Sequence, residues 1–252
     1  MFGLRTGKVI LAASVAATLF GATLDAAAGI IVESTRVVYP AAKREVTINI
    51  RNSSTTPSLV QAWLDDGNPR SKPGESAVPF VLTPPLFRLD PTRSQSLRLV
   101  YTQDPLPADR ESLFWLNVLD IPPRAAGNPD LPNQLEMAFK HRMKVFFRPA
   151  DLKGSAADAP ARLTWKLLEK DGKLVGFEAS NPTGYHVSLV QVTTMVDGRV
   201  VAAKPDMVGP FASGHFDLKD PITLPRGTLP IEYTYVNDYG GNVKATASAS
   251  GP

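Results

Sequence analysis

Apolar and polar residues alternate along much of this chain. Val46, Ile48 and Ile50 alternate with Thr47, Asn49 and Arg51, and Leu97, Leu99 and Tyr101 with Ser96, Arg98 and Val100, as half-buried strands require. "SLFWLNVL" (112–119) is apolar on both parities and suits the middle of a sheet. In "NQLEMAFKHRMKVFFRP" (133–149), Leu135, Met137 and Phe139 share one face, Glu136 and Lys140 the other, and Lys140, Arg142 and Lys144 extend the polar side. Before residue 150 the β-type runs number seven: "GIIVESTRVVYP", "REVTINIRNS", "SLVQAWLDD", "PFVLTPPLFRL", "SQSLRLVYTQ", "SLFWLNVLDIPP" and the stretch just described. No segment keeps a helical period over three turns, so the predicted class is all-β. Seven short strands at this spacing predict an immunoglobulin-like sandwich.

A shift to small, polar residues in "ADLKGSAADAPA" (150–161) places a linker at 151–160, between a first domain at 29–150 and a second β domain at 161–252. In the second, Asp171-Gly172 and Asp197-Gly198 predict two tight hairpins. Proline, at 23 of 252 residues against an average of roughly 5%, falls mostly at the ends of apolar runs and punctuates strands.

Residues 1–28 read differently. Arg5 and Lys8 precede the short apolar run "VILAASVAATLFGATL", and Ala26, Ala27 and Ala28 fit a small-residue cleavage site, which predicts a secretory signal peptide cut after Ala28. An uncleaved anchor is the weaker alternative, because a spanning helix needs roughly 20 apolar residues. Of 27 Lys+Arg and 24 Asp+Glu, the leader removes Arg5, Lys8 and Asp25, leaving 25 against 23, a balance of +2. So small a surplus, without a basic block, gives no case for a nucleic-acid partner.

Catalytic and metal chemistry find little support. The chain has no cysteine, so disulfides, thiol nucleophiles and Cys-ligated zinc are excluded. It carries no G-x-S-x-G, P-loop, G-x-G-x-x-G or H-E-x-x-H pattern. His141, His186 and His215 share no ligand spacing and are expected on the surface or in turns, while Asp65-Asp66 in "DDGNPRSKPG" reads as turn chemistry. Asn52-Ser53-Ser54 fits a glycosylation sequon. No catalytic or metal site is predicted.

Four stretches, in order, carry a resemblance: "STRVVY" near the predicted mature start, "RESLFWLNVLDIPP", "KVFFRP" closing the long strand, and "YVNDYGG" late in the chain. Together they resemble the PapD-like periplasmic chaperones of the chaperone–usher pathway, over essentially the whole mature chain. The resemblance implies two immunoglobulin-like β-sandwich domains set at an angle, with a cleft that receives the C-terminal carboxylate of a fimbrial (pilin) subunit. It places Arg36 and Lys144 at that carboxylate, and Leu135, Met137 and Phe139 as donor side chains completing a subunit that lacks a strand. Phe139 is bulkier than an aliphatic residue there. It further implies a structural interdomain ion network of Glu111, Arg148 and Asp238, delivery to an outer-membrane usher, and no cofactor or nucleotide. The short, cysteine-free loop "PPRAAGNPDLPN" resembles the short-loop subclass. Whether the free chain dimerises through its edges, and whether the bond before Pro85 or Pro123 is cis, stay open. The competing class is a secreted adhesive protein or fimbrial subunit, which would more naturally carry an N-terminal donor extension.

Overall fold

The computed structural model describes residues 29–123, 137–224 and 227–251. Strands dominate them, with one short 3₁₀ turn at Pro160–Arg162. The first domain holds β1 (Ile30–Val32), β2 (Arg36–Pro40), β3 (Val46–Asn52), β4 (Ser58–Asp65), β5 (Phe80–Thr83), β6 (Leu86–Leu89), β7 (Ser94–Tyr101), β8 (Ser112–Ile121) and β9 (Phe139–Arg148). They form a four-stranded sheet, β1-β3-β7-β5, facing a five-stranded sheet, β2-β9-β8-β4-β6.

Two runs expected as single strands are each divided between the sheets. "GIIVESTRVVYP" breaks at 33–35, so that β1 pairs with β3 while β2 crosses to lie parallel to β9. "PFVLTPPLFRL" breaks at its proline pair, with β5 on β7 and β6 on β4. Among the described residues the cis peptide is Thr83–Pro84, one bond before the pair considered at Pro85. Nine strands therefore replace seven, and the crossing at 33–35 delivers Arg36 to the sheet that holds Lys144.

Elsewhere the alternation predicts burial well. Ile48, Ile50, Leu97 and Leu99 enter the core with Tyr39, Leu116 and Val145, and the doubly apolar β8 lies third of five in its sheet. The sequon is closed off: the Asn52 amide is buried and donates to the Thr56 and Leu89 carbonyls, so it is a structural bridge and not a glycan acceptor.

The second domain comprises β10 (Thr164–Lys170), β11 (Lys173–Ser180), β12 (Val187–Val196), β13 (Arg199–Ala203), β14 (Met207–Val208), β15 (Ser213–Thr223), β16 (Leu229–Val236) and β17 (Asn242–Ser250). They enclose a core of Trp165, Leu174, Phe177, Phe216, Ile231 and Tyr233. Both hairpins form where expected, with Lys170 opposite Lys173 and Val196 opposite Arg199, and with positive φ at Asp171, Gly172, Asp197 and Gly198. The stretch between the domains packs onto the second: Leu152 and Ala159 join its core, and the Tyr185 and Tyr233 hydroxyls donate to the carbonyls of Gly154 and Pro160. Across the seam the Glu111 N–H donates to the Gly184 carbonyl at 2.8 Å.

Candidate functional site

β9 pairs with β8 from Phe139 to Phe147, but with β2 only from Lys144 onward. Residues 139–143 therefore have a strand on one side and, among the described residues, an unpaired edge on the other. The odd-numbered positions of β9 point to one face. On that face Met143, Val145 and Phe147 fill the first domain's own core, while Phe139 is 54% exposed and Met137, just before the strand, 53%. That exposure is incompatible with an inward-facing core role for these two side chains. Leu135 lies outside the described residues.

The unpaired edge ends at two cations. Arg36 and Lys144 are register partners at the start of the parallel β2–β9 pairing. Arg36 Nη1 donates to the Val236 carbonyl of the second domain at 2.9 Å, and the guanidinium carbon lies 5.6 Å from the Phe146 ring centroid. Its Nε is buried and unpartnered. Lys144 Nζ donates to the Ser188 hydroxyl at 3.2 Å and sits 5.8 Å from the Trp115 ring centroid. Burial holds the Lys144 pKa below the ordinary lysine value, Arg36 lowers it further, and Asp206 opposes both. Burial likewise lowers Arg36, against the pull of Asp238 and Glu111. Two half-desolvated cations with spare donors make a place where an anion relieves unfavourable charge. Beside them an interdomain cavity of about 380 Å³ is lined by Arg36, Phe146, His186, Tyr235 and Asp238, among others.

The domains are joined by ions. Arg148 Nε donates to Glu111 Oε1 at 2.7 Å, while its Nη1 and Nη2 form a fork onto Asp238 at 2.7 and 2.9 Å. Burial works against the Arg148 charge, but the hydrogen bonds with Asp238 and the attraction of Glu111 outweigh it, so its pKa is raised. Glu111, Arg148 and Asp238 thus meet, and the structure adds a fourth member. His186, expected on the surface or in a turn, does lie in the loop before β12, but its side chain is only 8% exposed. Its N–H donates to Glu111 Oε2 at 2.8 Å, and its Nδ1 stands 3.2 Å from the same oxygen. No local pattern marks this role, since the partner is 75 residues away.

Asp65 also exceeds its expected turn role. It does cap a turn, accepting from the Gly67 N–H, but it is wholly buried and also accepts from Ser71, Asn117 and Arg142. Arg142 in turn stacks 4.1 Å from the Trp115 ring centroid. This cluster fastens the loop after β4 to the strand carrying Lys144. Among the described residues no group of three His, Asp or Glu could hold a metal ion.

Two sandwich domains joined by an ion network leave a half-paired strand that ends at two cations, an edge of the kind to which a further strand can add. The comparisons give the family. Residues 29–153 match "Pili and flagellar-assembly chaperone, PapD N-terminal domain", and residues 158–247 match "Pili assembly chaperone PapD, C-terminal domain". The chain belongs to the PapD-like pilus-assembly chaperones. It is 39% identical over 241 residues to the chaperone protein FimB/FhaD of Bordetella pertussis, covering 94% of this chain and 93% of that one. It is 35% identical to the probable fimbrial chaperone YadV of Escherichia coli, covering 87% and 89%. Among solved structures it is similar to the Pseudomonas aeruginosa CupB2 chaperone, with 40% identity, TM-score 0.74 and coverage of 87% and 100%. It is also similar to a Salmonella enterica SafB chaperone solved with the SafA pilin, with 28% identity, TM-score 0.69 and coverage of 88% and 96%.

Proposed function

We propose that this chaperone holds a fimbrial subunit by lending it β9 and the residues before it, with the subunit's C-terminal carboxylate seated between Arg36 and Lys144. The observation that carries this reading is the half-paired β9 whose open edge stops at those two cations. A guest strand on that edge takes up the line of β2. If its carboxylate lies at Arg36, it runs parallel to β9, as β2 does. Nη1 of Arg36 is already engaged and Nε is buried, so Nη2 is the donor left to meet the carboxylate.

In this reading Leu135, Met137 and Phe139 enter the subunit's core. Burying three such side chains contributes roughly 5 to 9 kcal/mol gross. Association opposes it by about 4 to 15 kcal/mol, so the backbone ladder and the carboxylate, at about 1.5 to 3 kcal/mol per charge-assisted bond, must supply the rest. Glu111, Arg148 and Asp238 hold the two cleft walls in register.

Export completes the picture: residues 1–28 form a leader cut after Ala28, 151–160 join the domains, and the mature chaperone works in the periplasm, passing subunits to an outer-membrane usher. Without a subunit, the open edge is free to pair with a second copy. The test is capture from the native periplasm with tagged wild-type and Lys144→Ala chains. A small fimbrial subunit retained by the first and lost by the second is expected; equal retention by both would remove Lys144 from the site.

A further inference from the structure

We propose that Asp120 is the buried counter-ion of the α-ammonium created at Gly29 when the leader is removed. Asp120 continues the core-facing row of Phe114, Leu116 and Val118 along β8 and is 4% exposed. Its Oδ2 accepts the Ile30 N–H at 3.2 Å, whereas its Oδ1 is buried without a partner. No cation among the described residues pairs with it. Its cross-strand neighbours are Val60 and Phe139, and the charged or titratable groups near it by register, Lys140 opposite Leu119, His141 opposite Val118, Arg88 opposite Leu59 and Arg51 opposite Ile31, form no ion pair with it. A buried carboxylate oxygen left without a donor is unfavourable, and a donor that reaches it relieves the cost.

Gly29 is in position to supply one. Its carbonyl accepts from the Ser53 N–H at 3.1 Å and the Ser53 hydroxyl at 2.9 Å, which ties it to the end of β3. A Cβ at residue 29 would lie 2.6 Å from Asp120 Oδ2, so the Gly29 backbone lies close against the carboxylate. In the precursor the Gly29 nitrogen is an uncharged amide. Hydrolysis of the Ala28–Gly29 bond adds water across it, leaving a carboxylate on Ala28 and an amine on Gly29 that is protonated near neutral pH. Leader removal thus delivers the missing charge, and the first domain reaches full stability only after export.

The sign of the pH dependence follows. A carboxylate partner raises the folded pKa of the amine above its unfolded value of about 7.7 to 8.0. The added stability is complete below that range and is lost as pH rises through the raised folded value.

The inference rests on the export reading, and the test separates the two. The intact mass of the chain purified from the periplasm identifies its first residue; a terminus other than Gly29 overturns both the cleavage site and the pairing. With Gly29 first, an NMR titration of its Cα resonance is expected to give an amine pKa about one to two units above the ordinary value, and an ordinary value overturns the pairing while leaving the export reading intact. Independently, Asp120→Asn at pH 6 is expected to raise the unfolding equilibrium constant of the mature chain by about 10- to 100-fold, the factor those units represent. The same substitution in a chain with one extra alanine before Gly29 is expected to have a far smaller effect. Equal losses in the two backgrounds would overturn the pairing.

Discussion

The interdomain ions give a prediction whose size follows from exposure. Glu111 has a side chain only 2% exposed and takes donations from Arg148 Nε and the His186 N–H, so Glu111→Ala strands two donors in the seam. Breaking a buried pair costs about 3 to 5 kcal/mol; because Arg148 is 21% exposed and keeps its fork on Asp238, the lower end, about 3 kcal/mol, is expected. Asp238 is 37% exposed, and solvent replaces much of what Asp238→Ala removes, so about 1 kcal/mol is expected there. The difference corresponds to about 30-fold in the unfolding equilibrium constant. Urea denaturation followed by tryptophan fluorescence measures it, with Trp63 and Trp115 in the first domain and Trp165 in the second. A loss for Glu111→Ala no greater than that for Asp238→Ala would refute the ranking by burial.

Three further outcomes are expected. Burial opposes the Asp65 charge, but the hydrogen bonds from Arg142 and Asn117 prevail and hold its pKa below the ordinary aspartate value. Its stabilisation is therefore present above about pH 4 and lost as pH falls through the folded value, so Asp65→Asn should flatten the acid limb of stability against pH; an unchanged limb would contradict this. The depressed Lys144 pKa means that the free folded chain disfavours the charge, a penalty relieved as pH rises toward the ordinary lysine value of about 10.4. Binding of a labelled peptide with a free C-terminal carboxylate should weaken across the alkaline range and hold longer in Lys144→Arg; parallel profiles would remove Lys144 from the contact. At the seam, a Cβ on Gly184 would lie 2.9 Å from the Asp109 carbonyl oxygen and 3.2 Å from Leu152. Gly184→Ala should then destabilise the chain by about 1 to 3 kcal/mol and raise the radius of gyration measured by small-angle scattering, whereas an unchanged radius would mean that the seam relaxes locally.

What was legible in the sequence was whatever local chemistry decides. Asp-Gly pairs specify a hairpin because two successive residues must take positive φ, and both hairpins form. Alternation fixed the buried rows of β3 and β7 because each has one wet face. The break at 33–35 was not legible, because an apolar run looks the same whether its halves share a sheet or not. His186 and Asp65 escaped for a related reason: their burial comes from Glu111 and Arg142, at separations of 75 and 77 residues. Arg36, Lys144, Glu111, Arg148 and Asp238 are singled out by resemblance alone, since a charged residue has no local mark of its purpose. The structure adds their neighbours, Val236, Ser188 and Trp115.

The place where β2 begins has a consequence, under the proposed function, for the range of guests. Because the open edge ends at the cation pair, a guest seated there by its terminus, as proposed, would be measured from a fixed zero mark, independent of its internal sequence. Phe139 lies five residues from Lys144, about 17 Å along the strand. A guest that slipped by one residue would turn its whole apolar row to the wrong side, and the anchored end forbids that slip. In the proposed function one scaffold would therefore align subunits of differing sequence, because it would read a length and a charge where a sequence-specific pocket would read side chains.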